Sequence, residues 1–494
     1  MKMSFAIAAF TCTIAAAAVA QERTFSLTGV TVYEAQTLLD FATQLSLSRG
    51  GVVTPEAVAA TIETLYREDG YFLAEVFVSP DGSVLTVDEG AIGDIVIDGA
   101  DPETAALIAS YMLSVQAERP ATLATFERGL MLSDDLGTVQ VTSEIDYPDP
   151  AGPAQLRLVA TELDRSYGFV TLDHPVRELG DAATITFDQT YLGALSAGDL
   201  LNFNLSATSD FAGDTTLLGT LRYRVPLGAS GGYGEVYLGN VAARRDATGT
   251  LQQTDIEGRT AILAYGFPFV RNVEAYGYGL FELRSSETDV EVGGTTFEDD
   301  VTTIGASWIY GRTLENGGEL EYALTYTLGR SDAGGGATFS HLRFGAGVIA
   351  PTEWFGSGSF ASAEVWGQYS RDRLPQIEQF HVGGRDQDRG YVFAEDEGDT
   401  GASASLAMGR DFFPEMEAVR RVRPYSFLDL AFVSDTGPGG GMTNTREFAS
   451  IGLGLDLEFE NQFSVSSYVA VPLIDGPFSS EGDPALYLGL TRSW

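Results

Sequence analysis

Two hydrophobic periods divide this 494-residue chain. From about Phe25 to Val159, apolar positions recur at helical spacing between short alternating runs, and the same order of elements is passed through twice. The first round predicts a strand near Leu27 to Val32, a helix Glu34 to Leu47, a second helix opening at Thr54-Pro55, and strands Phe72 to Val78 and Val84 to Val87. The second predicts a strand Asp94 to Ile97, a helix opening at Asp101-Pro102, a helix Thr122 to Leu132, and strands Val139 to Ile145 and Gln155 to Val159. Each round is a β-α-α-β-β unit of roughly seventy residues, a repeat that is weak in sequence and clear in order.

From about Ser166 the helical period stops, and segments of about ten residues with alternating polarity run to the last residue. In Leu320 to Leu328 every second residue is large and apolar. Gly, Asp, Asn and Pro turns predict sixteen strands, starting near 166, 182, 199, 215, 232, 255, 273, 301, 318, 338, 360, 400, 424, 446, 462 and 484. The count is even, as single-chain bacterial barrels require. Short connections at 193–198, 226–231, 312–317 and 458–461 follow even strands, while longer ones at 243–254, 286–300 and 371–399 follow odd strands. That parity assigns the longest connection to the sixth outward loop. A soluble two-sheet protein would also alternate. It would not end on Leu486, Leu488, Leu490 and Trp494 alternating with Tyr487 and Arg492, an aggregation hazard at a free sheet edge. The expected fold is thus an all-β, sixteen-stranded antiparallel transmembrane β-barrel over 164–494, preceded by α+β units at 21–90 and 91–163.

Residues 1–20 read as a secretory leader: Lys2, an apolar run Phe5 to Val19, and the small-residue site Ala18-Val19-Ala20. Cys12, the single cysteine, falls inside it, so the mature chain is expected to hold no disulfide or thiolate metal site. The formal net charge is -40, a surface that repels phosphate backbones, so nucleic acid is excluded as a partner. No run after the leader approaches eighteen consecutive apolar residues, so any membrane crossing falls to a closed barrel.

No catalytic constellation is expected. His174, His341 and His381 are scattered without metal-ligand spacing and read as strand-end or loop residues. Gly228 to Gly232 matches the nucleophile-elbow pattern but falls in a turn between two strands, without the strand-to-helix context that pattern needs. The acidic clusters Asp386 to Asp388 and Glu395 to Asp399 lack spaced calcium ligands and read as solvated or internally paired charge. With Lys2 the only lysine, a phosphate-cradling Lys motif is absent. The reading is a non-enzyme with no metal and no cofactor.

The sixth outward loop is the charged exception to the pattern around it. It carries Gly383-Gly384, Arg389-Gly390-Tyr391, then Gly398-Asp399 and Gly401, glycines that favour close backbone approach over bulk. Pro424 to Asp429 follows with Phe427 and an aspartate, then Ala449 to Gly454 and Ala470 to Leu473. In the first unit stand Leu65-Tyr66, Gly70 to Leu73 and Glu89-Gly90. Together, in this order, these resemble the outer-membrane transporters of two-partner secretion, the haemolysin secretion/activation type, in which periplasmic POTRA modules precede a sixteen-stranded barrel. Asp388 stands where valine is usual before the arginine, and Ala431 where glycine is usual after the aspartate.

The resemblance implies an outer-membrane channel that exports an unfolded secreted partner without nucleotide, its POTRA domains in the periplasm. It implies a sixth loop (Gly383, Gly384, Arg389, Gly390, Tyr391, Gly398, Asp399) folded into the barrel, with Arg389 paired to Asp429 beside Phe427. Client-binding edges are expected around Phe72, Val76 and Val78 and around Val139 and Val141, since an edge strand takes an extended client by main-chain hydrogen bonds. Trp494 is expected to serve as the barrel-assembly signal. Expected partners are therefore the secreted exoprotein, the barrel-assembly machinery, and outer-membrane lipid and lipopolysaccharide. With only 21–24 ahead of the first unit, the loop alone is expected to seal the pore. A barrel-assembly or translocation-assembly insertase and a passive porin are the alternatives. Two modules instead of three or five weigh against the first, and the presence of any modules against the second.

Overall fold

The computed structural model describes residues 25–48, 53–149, 152–174, 182–210, 213–246, 252–333 and 336–494; the expected leader lies outside them. The chain divides into two compact units, residues 1–92 with 118–123, and residues 93–117 with 124–494.

In the first unit, β1 (Ser26–Thr28), α1 (Ala35–Ser48), α2 (Pro55–Glu68), β2 (Glu75–Val78) and β3 (Val84–Asp88) follow the order expected. Thr54 caps α2, its hydroxyl accepting the Ala57 amide at 3.2 Å, and Pro55 begins the helix, where its missing N–H costs nothing. The sheet order is β1-β3-β2, which leaves β2 an edge. Leu38, Ala42, Val58, Ile62, Leu85 and Val87 fill the core between sheet and helices. Phe72 precedes β2 and is not a strand residue, because the backbone turns through Tyr71 to Ala74 before extending.

The Glu89-Gly90 pair closes this unit. Buried Glu89 accepts the amides of Thr31 at 2.7 Å and Val32 at 3.0 Å and the Tyr66 hydroxyl at 2.7 Å, and pairs with the Thr31 hydroxyl. Burial pushes this carboxyl up, but those hydrogen bonds outweigh it and hold it below the ordinary glutamate value. Gly90 has φ +77°, and a Cβ there would lie 2.3 Å from the Leu73 side chain.

The elements β4 (Ile92–Asp98), α3 (Pro102–Ala117), α4 (Leu123–Asp134), β5 (Val139–Asp146) and β6 (Ala154–Glu162) repeat the pattern, in sheet order β4-β6-β5, so β5 is again an edge. This sheet and its helices are fastened to the barrel's near-end turns. Asp135 pairs with Arg271 at 2.6 Å, and Arg128 donates to the carbonyls of Ser230 at 3.0 Å and Pro268 at 2.8 Å. The elbow-like Gly228 to Gly232 is therefore a barrel turn that docks a helix.

The barrel strands are β7 (Ser166–His174), β8 (Ala183–Leu192), β9 (Leu200–Ser209), β10 (Thr215–Leu227), β11 (Gly232–Arg245), β12 (Thr254–Arg271), β13 (Ala275–Val292), β14 (Thr295–Thr313), β15 (Glu319–Ser331) and β16 (Ala337–Thr352). They continue as β17 (Ser359–Ser370), then β20 (Thr400–Arg410), β21 (Val419–Thr436), β22 (Met442–Phe459), β23 (Phe463–Pro472) and β24 (Ala485–Ser493). Between β17 and β20, the short strands β18 (Phe380–Val382) and β19 (Asp396–Gly398) pair only with each other. All sixteen barrel strands pair antiparallel with their neighbours, and β24 returns to β7 to close the barrel. Alternation sets the two faces: on β15, Leu324, Tyr326 and Leu328 point outward while Glu321, Thr325 and Thr327 face the interior.

One expected loop is a strand pair instead. Residues 286–300 continue β13 and β14 to a two-residue turn at Gly293-Gly294, both with positive φ as such hairpins require. Glu287, Asp289 and Glu291 gave this stretch a loop-like polarity, although they alternate with Thr288, Val290 and Val292 in strand register.

Glu89→Gln replaces an acceptor of backbone amides with a group that must turn an N–H toward some of them, at a cost of about 1–3 kcal/mol. Hydrogen exchange of the full chain should show lost protection at Thr31 and Val32. Because the folded carboxyl sits below its unfolded value, its contribution is complete at neutral pH and fades as pH falls from the ordinary glutamate range through the depressed one. Unchanged protection in the variant would contradict this.

Candidate functional site

The 371–399 connection turns back into the barrel instead of spreading over its rim. A 3-10 turn at Gln376–Glu378 leads into the β18–β19 hairpin, whose far end carries the tip. Val382 and Tyr391 are fully buried against Ala431, Val433 and Phe448 of the wall. Close approach explains two glycines. Gly383 has φ +94°, and a Cβ would lie 2.0 Å from the Val392 carbonyl oxygen; at Gly398 a Cβ would lie 2.8 Å from the Ser434 carbonyl oxygen.

At the tip, Arg389 meets the wall at Asp429. Nε and Nη2 lie 2.8 Å from the two carboxylate oxygens, and the Arg389 amide donates to the same group at 3.0 Å. Ser405 joins both partners, accepting from Nη2 at 2.8 Å and donating to Asp429 at 2.7 Å. The guanidinium carbon sits 3.5 Å above the Phe427 ring. The pair is nearly dry, with side chains 12% and 1% exposed. A planar fork matched to a carboxylate in a water-poor site gives both strength and one orientation, and the ring below adds a cation–π contact.

The next strand prepares this seat. In register, Gly452 of β22 lies opposite Phe427 and Gly454 opposite Tyr425; a Cβ at Gly452 would lie 2.2 Å from the Phe427 ring. The Ile451-Gly452-Leu453-Gly454 run thus clears the space into which the two rings fold.

Further anchors hold the loop on other sides. The Tyr391 hydroxyl accepts the Ala449 amide at 3.1 Å and lies 2.9 and 2.8 Å from the carbonyls of Ala449 and Ile474, to either of which it can donate. Asp399 accepts the backbone amides of Leu374 at 2.8 Å and Thr436 at 2.7 Å. Buried Glu395 accepts the amides of Phe478 at 2.6 Å and Ser479 at 2.8 Å, tying the tip to the last outer connection. Glu378, fully buried on the opposite side, pairs with Arg284, with His341 at 3.0 Å and with Arg343 at 3.3 Å.

One sequence-based reading changes here. His341 is not a strand-end or loop residue but a buried interior residue of β16, held against a carboxylate brought by the loop. Glu378 and Glu395 escaped notice because the wall partners of Glu378 lie more than thirty residues away and, apart from the nearby Val392 amide, those of Glu395 lie more than eighty away. Asp388 bonds to β20 and not to Arg389. Its Oδ1 accepts from Ser403 at 2.8 Å, and its φ of +50° is one that aspartate adopts far more readily than the usual valine. Among the described residues no group of three or more His, Cys, Asp and Glu side chains is arranged to hold a metal.

A closed, even-stranded barrel with an apolar outer face and a polar interior occupied by its own loop is a transmembrane barrel of the outer-membrane class. Residues 155–457 match the haemolysin secretion/activation protein ShlB/FhaC/HecB family. The chain belongs to that family, the outer-membrane translocators of two-partner secretion. It is similar in structure to CdiB from Escherichia coli, at 17% identity and TM-score 0.77, over 98% of this chain and 93% of that one. CdiB from Acinetobacter baumannii is similar at 16% identity and TM-score 0.74, over 95% of this chain and 90% of that one. BamA from Haemophilus ducreyi lacking POTRA domains 1-3 follows at 14% identity and TM-score 0.56, over 95% of this chain and all of that one. No curated protein sequence matches the chain.

Gly383→Ala adds a methyl group against a backbone carbonyl at a position with φ +94°. It should displace the tip and raise single-channel conductance in planar bilayers above the wild-type level, in barrels that still migrate as folded species. Wild-type conductance would show that the close approach does not position the loop.

Proposed function

We propose that the Arg389–Asp429 pair is the latch of the export channel, and that the two β-α-α-β-β units, taken as POTRA domains over 21–90 and 91–163, deliver an unfolded secreted partner to the barrel of 164–494. The single observation behind the latch is its geometry: four hydrogen bonds and a stacked ring converge on one loop residue inside the barrel interior. A pair this buried is costly to break from one side, about 3–5 kcal/mol. Loop and wall therefore separate as a discrete event, not by gradual loosening. In this reading Gly383, Gly384, Gly390, Tyr391, Gly398 and Asp399 shape the seat, Phe427 is its floor, and the chemistry is transport without catalysis or cofactor.

Client capture falls to the edge strands β2 and β5. Val76, Val139 and Val141 turn their side chains into the cores, so an extended client meets the main chain beside them. In both edges a carboxylate already occupies an outward amide: Glu63 accepts from Val76 at 3.0 Å and Asp134 from Val141 at 3.0 Å. A client strand displaces these guards, which meanwhile keep the bare edges from pairing with one another. The units lie on the periplasmic side in this account. Trp494 continues the β24 ladder, exchanging backbone hydrogen bonds with Gly168 at 3.1 and 3.2 Å, and serves as the assembly signal read by the barrel-assembly machinery before insertion among lipid and lipopolysaccharide.

Arg389→Ala should abolish or sharply reduce export of the partner while the barrel still assembles, measured as secreted protein per folded barrel. Arg389→Asp and Asp429→Arg should each be defective, and the two together should recover export. Normal export by Arg389→Ala would remove the latch from the mechanism.

A further inference from the structure

The loop also reaches the place where the barrel closes. Arg385 stands just past the Gly383-Gly384 pair. Its carbonyl accepts the Tyr468 hydroxyl of β23 at 3.1 Å, and its Nη1 lies 2.5 Å from Asp173 Oδ2 on β7. Between β23 and β7 runs β24, which pairs with both. One loop residue thus spans the last strand and touches the strand on either side of it.

Three observations make this contact more than a surface ion pair. The β24–β7 seam is the shortest in the barrel among the described residues: six residue pairs, Leu488↔His174 to Ser493↔Phe169, continued only by the Gly168–Trp494 backbone bonds, where every other seam has at least eight pairs. Asp173 is buried, its side chain 2% exposed, while its opposite residue across the seam is Gly489, which has no side chain to offer. A buried carboxylate without its cation is strongly disfavoured. Tyr487 of β24 stacks on Tyr468 at 5.0 Å, so the spanned strand is covered by the same patch of wall.

We infer that Arg385 is a staple across the closing seam, a positioning residue that keeps β7 and β24 zipped for as long as the sixth loop is seated. When the loop leaves, the short seam loses its interior bridge and Asp173 loses its cation and needs water. Release of the loop and loosening of the first and last strands are then a single coupled event, which gives the translocator a lateral response to the loop in addition to an open pore. The inference goes beyond the latch reading and does not need export to be tested.

Cysteine cross-linking provides the test, in the full chain with Cys12→Ser removing the only other thiol. Thr171 and Thr491 face each other across the seam with hydroxyls 2.9 Å apart, and Thr186 and Ser206 do so at 3.1 Å across β8–β9. Thr171→Cys with Thr491→Cys reports the closed seam, and Thr186→Cys with Ser206→Cys is the control, both scored after a brief oxidising pulse on the heat-modifiable, folded fraction. Arg385→Gln, and separately Asp173→Asn, should lower the seam yield several-fold and leave the control unchanged. Arg385→Asp combined with Asp173→Arg should restore it. A seam yield unaffected by both single variants, a control that falls in step with the seam, or a swap that stays as low as the singles would overturn the staple.

Discussion

The interior of this barrel is organised around one buried ion pair that seats the sixth loop against the wall. Arg389 and Asp429 come from segments forty residues apart, and each is poor in alternatives once inside the barrel. A guanidinium in a water-poor interior needs an anionic partner, and a carboxylate there needs donors that hold its charge. Bidentate geometry, Ser405 and the Phe427 ring leave one arrangement that satisfies both. Such a pair is costly to leave half-made, the property that the proposed latch requires.

The barrel is built around that constraint. Outward residues supply an apolar face by simple alternation, so the inward positions are free to carry charge. Asp429, Ser405, Arg284, His341, Arg343 and Asp173 use that freedom from five strands of the wall, and each meets a residue of the same loop. Glycines on β22 give the Phe427 and Tyr425 rings room to lie flat against the wall, so the stacking surface under Arg389 is itself a product of the neighbouring strand. The loop is thus gripped on several sides by long-range contacts.

Legibility in the sequence followed the range of the interactions. Strand alternation and turn residues are local, and the starts of nearly all sixteen barrel strands could be placed within a few residues of their positions; Thr54-Pro55 likewise marked the start of α2. The acidic β13–β14 hairpin was misread because its carboxylates mask the period of two that the backbone keeps. Arg389, Gly390 and Asp429 stood out through the order of motifs they share with the family. Glu378, Glu395 and Arg385 did not, because nothing within ten residues of any of them encodes a partner on another wall of the barrel. Asp173 was invisible for the same reason: its environment depends on closure of the barrel.

The central claim is that the seated loop must leave for export to proceed. Asp388 and Ser403 touch at 2.8 Å, beside the latch but outside it. A cysteine pair at these two positions would bond the seated loop to β20, and export of the secreted partner can be measured with the disulfide formed and again after reduction. The account predicts that export stops when the bond forms and resumes when it is broken. Undiminished export through quantitatively cross-linked barrels would contradict it.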